Sequence, residues 1–402
     1  MALMPVADAY AAVLKDAAAL PEETVALNDA HHRTLSRDIA ALRTQPPAAM
    51  SAMDGYAVRA ADAVLGARLN VIGEVAAGRP FGKSLTGGQA ARIFTGGVVP
   101  EGADAVVIQE DATREGDTVI VNEASTAGKN IRAAGIDFKQ GDVLLTRGLL
   151  LNDRALALAA GMNHPQLPVH RRPKVAILAT GDELVAPGAP LAPGQIVYSN
   201  VFALTALVRS EGGEAIDLGV ARDTMESTSA GIRRARELGA DILITTGGAS
   251  VGDHDLVQSA LKAEGTDMAF WKIALRPGKP MMHGRLGAMR VLGLPGNPVS
   301  SYICAFLFLV PLIRALSGRA RVDHVFEQAT LGRELAANDQ RQDYLRARLA
   351  TGPDSVAVAT SVGAQDSSLV ANLAAADALI VRPPFAPAAA AGAPCTILRL
   401  PL

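Results

Sequence analysis

Between Pro173 and Glu264 the chain switches repeatedly between two hydrophobic periods, and that alternation restricts its architecture more than any other feature. Apolar runs at 175–179, 215–220 and 241–245 read as buried strands, while 201–210, 225–238 and 255–264 carry helical spacing. Glu211-Gly212-Gly213 closes the first of these helices as a C-cap does. Strands alternating with helices predict a parallel, doubly wound sheet. Such sheets bind ligands beyond the carboxyl ends of their strands. Acidic residues collect at those ends: Asp182-Glu183, Asp223, and Asp253 with Asp255. Chance placement of surface carboxylates is the competing explanation.

The third strand runs into Thr245-Thr246-Gly247-Gly248-Ala249-Ser250-Val251-Gly252-Asp253. A strand, a glycine-rich turn and a helix start offer unpaired N–H groups to an anion. Asp253 and Asp255 would repel a phosphate unless a divalent cation such as Mg²⁺ lay between them. Helix capping by Ser250, Asp253 or Asp255, worth about 1 kcal/mol, accounts for the same residues. Further on, Lys272, Arg276 and Lys279 are spaced along a backbone stiffened by Pro277 and Pro280. These cations suit an oxyanion clamp, or else a charged surface hairpin. A strand at 289–294 then meets Pro295-Gly296-Asn297-Pro298, with Ser300 and Ser301 behind it and a long apolar helix following. This is a second candidate anion turn.

Elsewhere the pattern is mostly β. Residues 5–20 read as an amphipathic helix after Pro5. Short β-type runs between 69 and 135 predict a small inserted β domain, and 321–402 predicts a C-terminal β-barrel. Asp54-Gly55 is a tight-turn signal, and Phe94-Thr95-Gly96-Gly97 is either another turn or a hydroxyl with bare amides. The predicted domains are 1–44 with 136–171, 45–135, 172–320 and 321–402. With 49% apolar and 19% charged residues the chain is globular, and a net charge of −2 gives no field for nucleic acid or anionic membrane. Cys304 and Cys395, both in apolar surroundings, predict buried free thiols in a reducing cytoplasm. The longest apolar run, 303–313, contains Pro311 and spans about half of what a bilayer needs.

Six motifs in this order resemble one family: 51–58 (Ser-Ala-Met-Asp-Gly-Tyr-Ala-Val), Thr95-Gly96, 179–184 (Ala-Thr-Gly-Asp-Glu-Leu), 246–253, 276–280 (Arg-Pro-Gly-Lys-Pro) and 295–298. The family is the MoeA type of molybdopterin molybdenumtransferase, similar to the E domain of gephyrin. The resemblance covers essentially the whole chain. It implies an elongated homodimer, α/β plus β, with the central doubly wound molybdopterin-binding domain flanked by β-rich domains. The implied reaction inserts molybdate into adenylylated molybdopterin with release of AMP, dependent on Mg²⁺. Molybdopterin adenylyltransferase and molybdoenzymes are the implied transient partners. By position, Asp54, Thr95, Glu183, Asp223 and Asp253 match the family's catalytic acidic and hydroxyl positions, with Glu183 and Asp253 near the metal and Asp54 and Thr95 reaching in from the partner subunit. Asp137, Gly247, Gly248, Ser250, Lys272, Arg276, Pro277, Lys279, Gly296, Asn297 and Ser300 match substrate-side positions, and Arg346 and Ser367 the molybdate side.

Arg276 stands where the family more often has lysine, and Asp366 where a glycine is usual. The competing readings are a pterin-nucleotide adenylyltransferase or hydrolase built on the same α/β domain, and a gephyrin-like scaffold without turnover. Against the former stand the Asp54 and Thr95 motifs and the final β domain; against the latter, the retained acidic positions.

Overall fold

A computed structural model describes residues 3–79, 81–247, 256–352 and 355–401. The expected multidomain α/β plus β architecture is present. Its centre is a six-stranded sheet in the order Glu214–Ala221, Lys174–Thr180, Ile242–Thr246, Met289–Leu294, Met282–Leu286, Asp267–Phe270. The first four of these strands are parallel, and the last two are added antiparallel. Ile242–Thr246 and Met289–Leu294 are buried throughout, which is why they read as unbroken apolar runs. Helices Asn200–Ser210, Met225–Glu237 and Leu256–Ala263 lie within two residues of their predicted bounds. Thr224 caps the second of them by accepting from the Ser227 N–H.

The long apolar helix goes beyond the sequence expectation. It runs unbroken over Pro298–Leu316, long and apolar enough to cross a membrane, yet 83% of its most apolar window is buried inside the protein. Pro311 does not stop it. A π-helical stretch, Ala305–Leu309, precedes that residue, so the proline falls in the first turn of the next α-helical segment, where a missing N–H costs little.

The N-terminal helix is shorter than predicted, Val6–Leu14. Arg290 donates to the carbonyls of Val13 (2.8 Å) and Lys15 (2.9 Å), Arg285 also donates to Lys15, and Asp16 turns the chain at φ 53°. Two guanidiniums thus take up carbonyls at the helix end, as a C-cap would. Ala9 and Val13 pack into the central core, and Met4 exchanges backbone hydrogen bonds with Lys272 and Ala274. This first segment therefore packs with the α/β domain and not with the chain that follows it.

Residues after that helix do pair across a long gap. Glu22–Ala26 lies antiparallel to Gln166–His170, and Ile39–Ala40 to Val143–Leu145, around a core containing Leu35, Phe138, Leu151, Met162 and Leu167. Between them a six-stranded sheet runs from Ala105–Ile108 through Gly55–Val58 and Gln89–Ile93 to Arg68–Val75, Thr118–Val121 and Ala112–Glu115. After the long helix, Gln342–Thr351, Ala357–Ser361, Phe326–Leu331, Pro394–Arg399 and Ala378–Arg382 pair in sequence, and the last pairs back onto the first, closing a barrel. Cys304 is fully buried, whereas Cys395 is only half-buried; both are free.

Where these parts meet, Glu211 accepts from Arg314 (2.8 and 3.0 Å) and Arg319 (2.7 Å). Burial alone would raise the Glu211 carboxyl, but the two guanidiniums outweigh it and hold the group below the usual range. A carboxyl held lower in the folded chain than in the unfolded one stabilises above the ordinary carboxylate range, and that contribution is lost as pH falls through the folded value. Glu211→Gln leaves two buried guanidiniums uncompensated and should cost about 3–5 kcal/mol. Urea denaturation at neutral pH measures this, and the deficit should shrink in acid.

Candidate active site

The carboxyl ends of the parallel strands open into a cavity of about 800 Å³. Each wall comes from a strand end and the turn behind it. Ala179, Thr180, Gly181 and Glu183 follow the first strand, Asp223 the second, Thr246 and Gly247 the third, and Pro295, Gly296, Asn297 and Pro298 the fourth. Tyr198, Ser199 and Asn200 line it from the start of the helix Asn200–Ser210.

Two glycines allow this approach. Gly247 sits at φ 93°, and a Cβ there would lie 2.6 Å from the Thr180 carbonyl oxygen. Gly181, at φ 144°, leaves room for the Glu183 carboxylate, whose oxygens would stand 2.5 and 2.7 Å from a Cβ. Asp182 and Asp223 tie two strand ends together, each backbone N–H donating to the other's carboxylate at 3.4 and 3.2 Å. Asn200 donates to the Gly296 carbonyl at 2.8 Å, fixing the fourth turn against that helix.

The charged side chains among the described lining residues are Glu183 and Asp223. The basic segment reaches the rim only through Pro280. Lys279 is exposed and Lys272 half-buried. Arg276, expected on the substrate side, is engaged within the chain. Its Nε donates to Asp343 at 2.8 Å, a second nitrogen binds the same carboxylate, and Asp339 lies 3.6 Å away. Leu275–Arg276 also pairs in parallel with the barrel strand, so Arg276 ties the barrel to the α/β domain. Ser300 is buried on the long helix and does not line the cavity.

The barrel's molybdate-side candidates divide. Arg346 is 1% exposed and donates to Gln365, Ala364, Asp366 and Leu369, so its guanidinium organises a loop. That loop carries Ser367, whose hydroxyl accepts from Asn297 at 2.8 Å, and Ser368, which lines the cavity. Gly248, Ser250 and Asp253 lie outside the described residues. Within the described ones, no group of three His, Cys, Asp or Glu residues is arranged for a metal.

Asp54, Thr95 and Asp137 do not line this cavity. Asp54 and Thr95 nonetheless form one unit. The Asp54 carboxylate accepts the Thr95 N–H and hydroxyl, both at 2.7 Å, and Gly96 N–H donates to the Ser51 carbonyl at 2.9 Å. Asp137 is exposed, its N–H bonded to Gln45.

Comparison with known proteins gives the family. Residues 4–162 match the MoeA N-terminal region (domain I and II), 176–315 a probable molybdopterin binding domain, and 328–400 the MoeA C-terminal region (domain IV). The molybdopterin molybdenumtransferase of Haemophilus influenzae is 37% identical over 367 residues, 90% of either chain. That of Nostoc is 36% identical over 94% of this chain and 89% of its own. The chain belongs to the molybdopterin molybdenumtransferase family. A solved MoeA protein from Pyrococcus horikoshii superposes with a TM-score of 0.82 at 31% identity, covering 99% of both chains.

Against the family motifs, the sequence reading missed Tyr198, Ser199, Asn200, Thr228 and Ser368 as cavity residues. Asn200 and its neighbours carried a findable signal, a polar helix start within a strand-to-helix repeat. Ser368 carried none, since its placement depends on the buried Arg346.

The two hydrogen bonds from Thr95, the backbone one first, hold the Asp54 carboxyl below its ordinary range. Thr95→Val removes the hydroxyl and keeps the N–H. Asp54 should then titrate higher than in the parent, without returning fully to the ordinary value, as followed by carboxyl NMR shifts. An unmoved titration would mean that the hydroxyl contact does not form in solution.

Proposed function

We propose that this chain inserts molybdate into adenylylated molybdopterin, releasing AMP and completing the molybdenum cofactor. Family membership over nearly the full length supports transferase chemistry and favours it over the adenylyltransferase, hydrolase and scaffold readings. The observation that carries the detailed reading is the acidic wall of the cavity, Glu183 and Asp223 beside backbone turns suited to anions. An anionic pyrophosphate beside carboxylates calls for a positive charge between them. Mg²⁺ is held by one or two carboxylates plus phosphate oxygens and keeps several waters, so a dense protein ligand set is not needed. Glu183, with Asp253, would hold the ion, which supplies charge neutralisation at the phosphates.

The chain's own residues position the reactants. The turns at Gly247 and Gly296 would bring bare backbone to the substrate, and Lys279 and Lys272 would offer point charges from the segment whose Pro280 reaches the rim. Ser368 and the Asn297–Ser367 contact bring the barrel to the same mouth. Catalysis of this kind is positioning and electrostatic stabilisation.

A homodimer in which the partner's β domain delivers Asp54 and Thr95 belongs to the same proposal. Leu191, Ile196 and Phe202 are each 55% exposed, apolar surface that a second copy would cover. Cytoplasmic location, and transient contact with the adenylyltransferase that supplies the substrate and the molybdoenzymes that take the product, complete the reading.

The test is turnover on purified protein with adenylylated molybdopterin, molybdate and Mg²⁺, following AMP and active cofactor together. Both should appear only with molybdate, and Glu183→Gln should lower the rate by about tenfold or more, as disturbed metal sites do. AMP without active cofactor would favour the hydrolase reading. An unchanged rate in the variant would remove Glu183 from the site.

A further inference from the structure

A second cavity, of about 600 Å³, opens where three parts of the chain meet: the 146–150 turn, the α/β helix ends, and the barrel. Arg147, Arg314, Arg319, Arg321 and Arg399 line it, against Glu211, Asp323 and Glu327, in a chain whose net charge is −2. The carboxylates are already engaged. Asp323 accepts from the Tyr10 hydroxyl, Glu327 pairs with Arg399 at 2.8 Å, and Glu211 serves both Arg314 and Arg319.

One carboxylate for two buried guanidiniums leaves a positive excess. The Arg319 side chain is 10% exposed, and its Nε–H is buried with no acceptor. An unmade hydrogen bond on a buried charged donor is costly, and native chains avoid it unless something supplies the acceptor. At the mouth, the exposed Arg147 and Arg321 side chains have no partner among the described residues. Their guanidiniums are forked donors suited to phosphate or carboxylate oxygens.

The remaining wall is apolar. Phe306, Leu149, Val325 and Leu398 contribute to it, with the His324 ring 4.0 Å from that of Phe306. The volume lies within the range of small-molecule pockets and is far larger than a bare tetrahedral oxyanion requires. We propose that this junction cavity binds a small organic anion, with a phosphate or carboxylate head on the arginines and an apolar or aromatic body against Phe306 and Leu398. It is separate from the strand-end cavity and shares no lining residue with it.

Phenyl phosphate serves as the probe, titrated calorimetrically at constant ionic strength with inorganic phosphate as comparison. The titration is repeated on the Lys279→Ala chain, so that a contribution from the basic segment beside the strand-end cavity shows as a difference between the two chains. One saturable site is expected, with phenyl phosphate bound roughly tenfold more tightly than inorganic phosphate. The double substitution Arg147→Ala/Arg321→Ala should weaken it by about tenfold or more. Both arginines are exposed and unpaired, so the unligated melting temperature should not change. The proposal is overturned by absence of saturable binding, by equal affinity for the two phosphates, by undiminished binding in the double variant, or by loss of the site on Lys279→Ala alone.

Discussion

Burial of the helix Pro298–Leu316 is the constraint on which the rest of the molecule depends. Its side chains share one core with Ala9 and Val13 of the first helix, Ile177, Ile244 and Leu292 of the sheet, and Tyr344, Leu379 and Leu398 of the barrel. Each large side chain taken out of water there contributes about 1.5–3 kcal/mol, so three segments distant in sequence are held by one apolar surface. The helix also sets the geometry of function. Its first residue lines the strand-end cavity, and Phe306 and Arg314 line the junction cavity. The helix Asn200–Ser210 runs between the same two places, from Asn200 in one cavity to Glu211 in the other.

Electrostatics then divides the surface. The described walls of the strand-end cavity are acidic, while the nearby cation with the best geometry for oxyanions, Arg276, is committed to Asp343 and Asp339. Lysine, a point charge on a flexible stem, cannot reproduce that bidentate contact. At this position the arginine therefore holds the barrel strand beside the α/β domain.

Much of the α/β domain was legible because its inner strands are buried on both faces and its helices on one, so period alone separated them. Met289–Leu294 and Met225–Glu237 emerged with almost their observed bounds. Long-range packing was not legible. Nothing in Val6–Leu14 says that its buried face meets the central core and not the domain that follows, and nothing in residues 303–313 says that Pro311 is tolerated by a π-turn. The candidate site divides in the same way. Residues at strand ends, such as Glu183, Asp223 and Gly247, follow from topology, whereas Ser300 required knowledge of which helix face is buried.

Arg346 shows why position in a motif does not by itself fix a role. An arginine in an alternating strand is equally readable as a ligand contact or a buried post. Here its guanidinium donates to Ala364, Gln365, Asp366 and Leu369, and burial lowers its proton affinity instead of advertising a free charge. The loop it gathers delivers Ser367 to Asn297, the Ser367 carbonyl to the Val299 N–H at 3.1 Å, and Ser368 to the cavity. A change at Arg346 would therefore act on the cavity through the placement of that loop. The barrel holds that loop against the turn at Gly296 and Asn297, and a buried cation hydrogen-bonded to neutral acceptors keeps the loop in that shape.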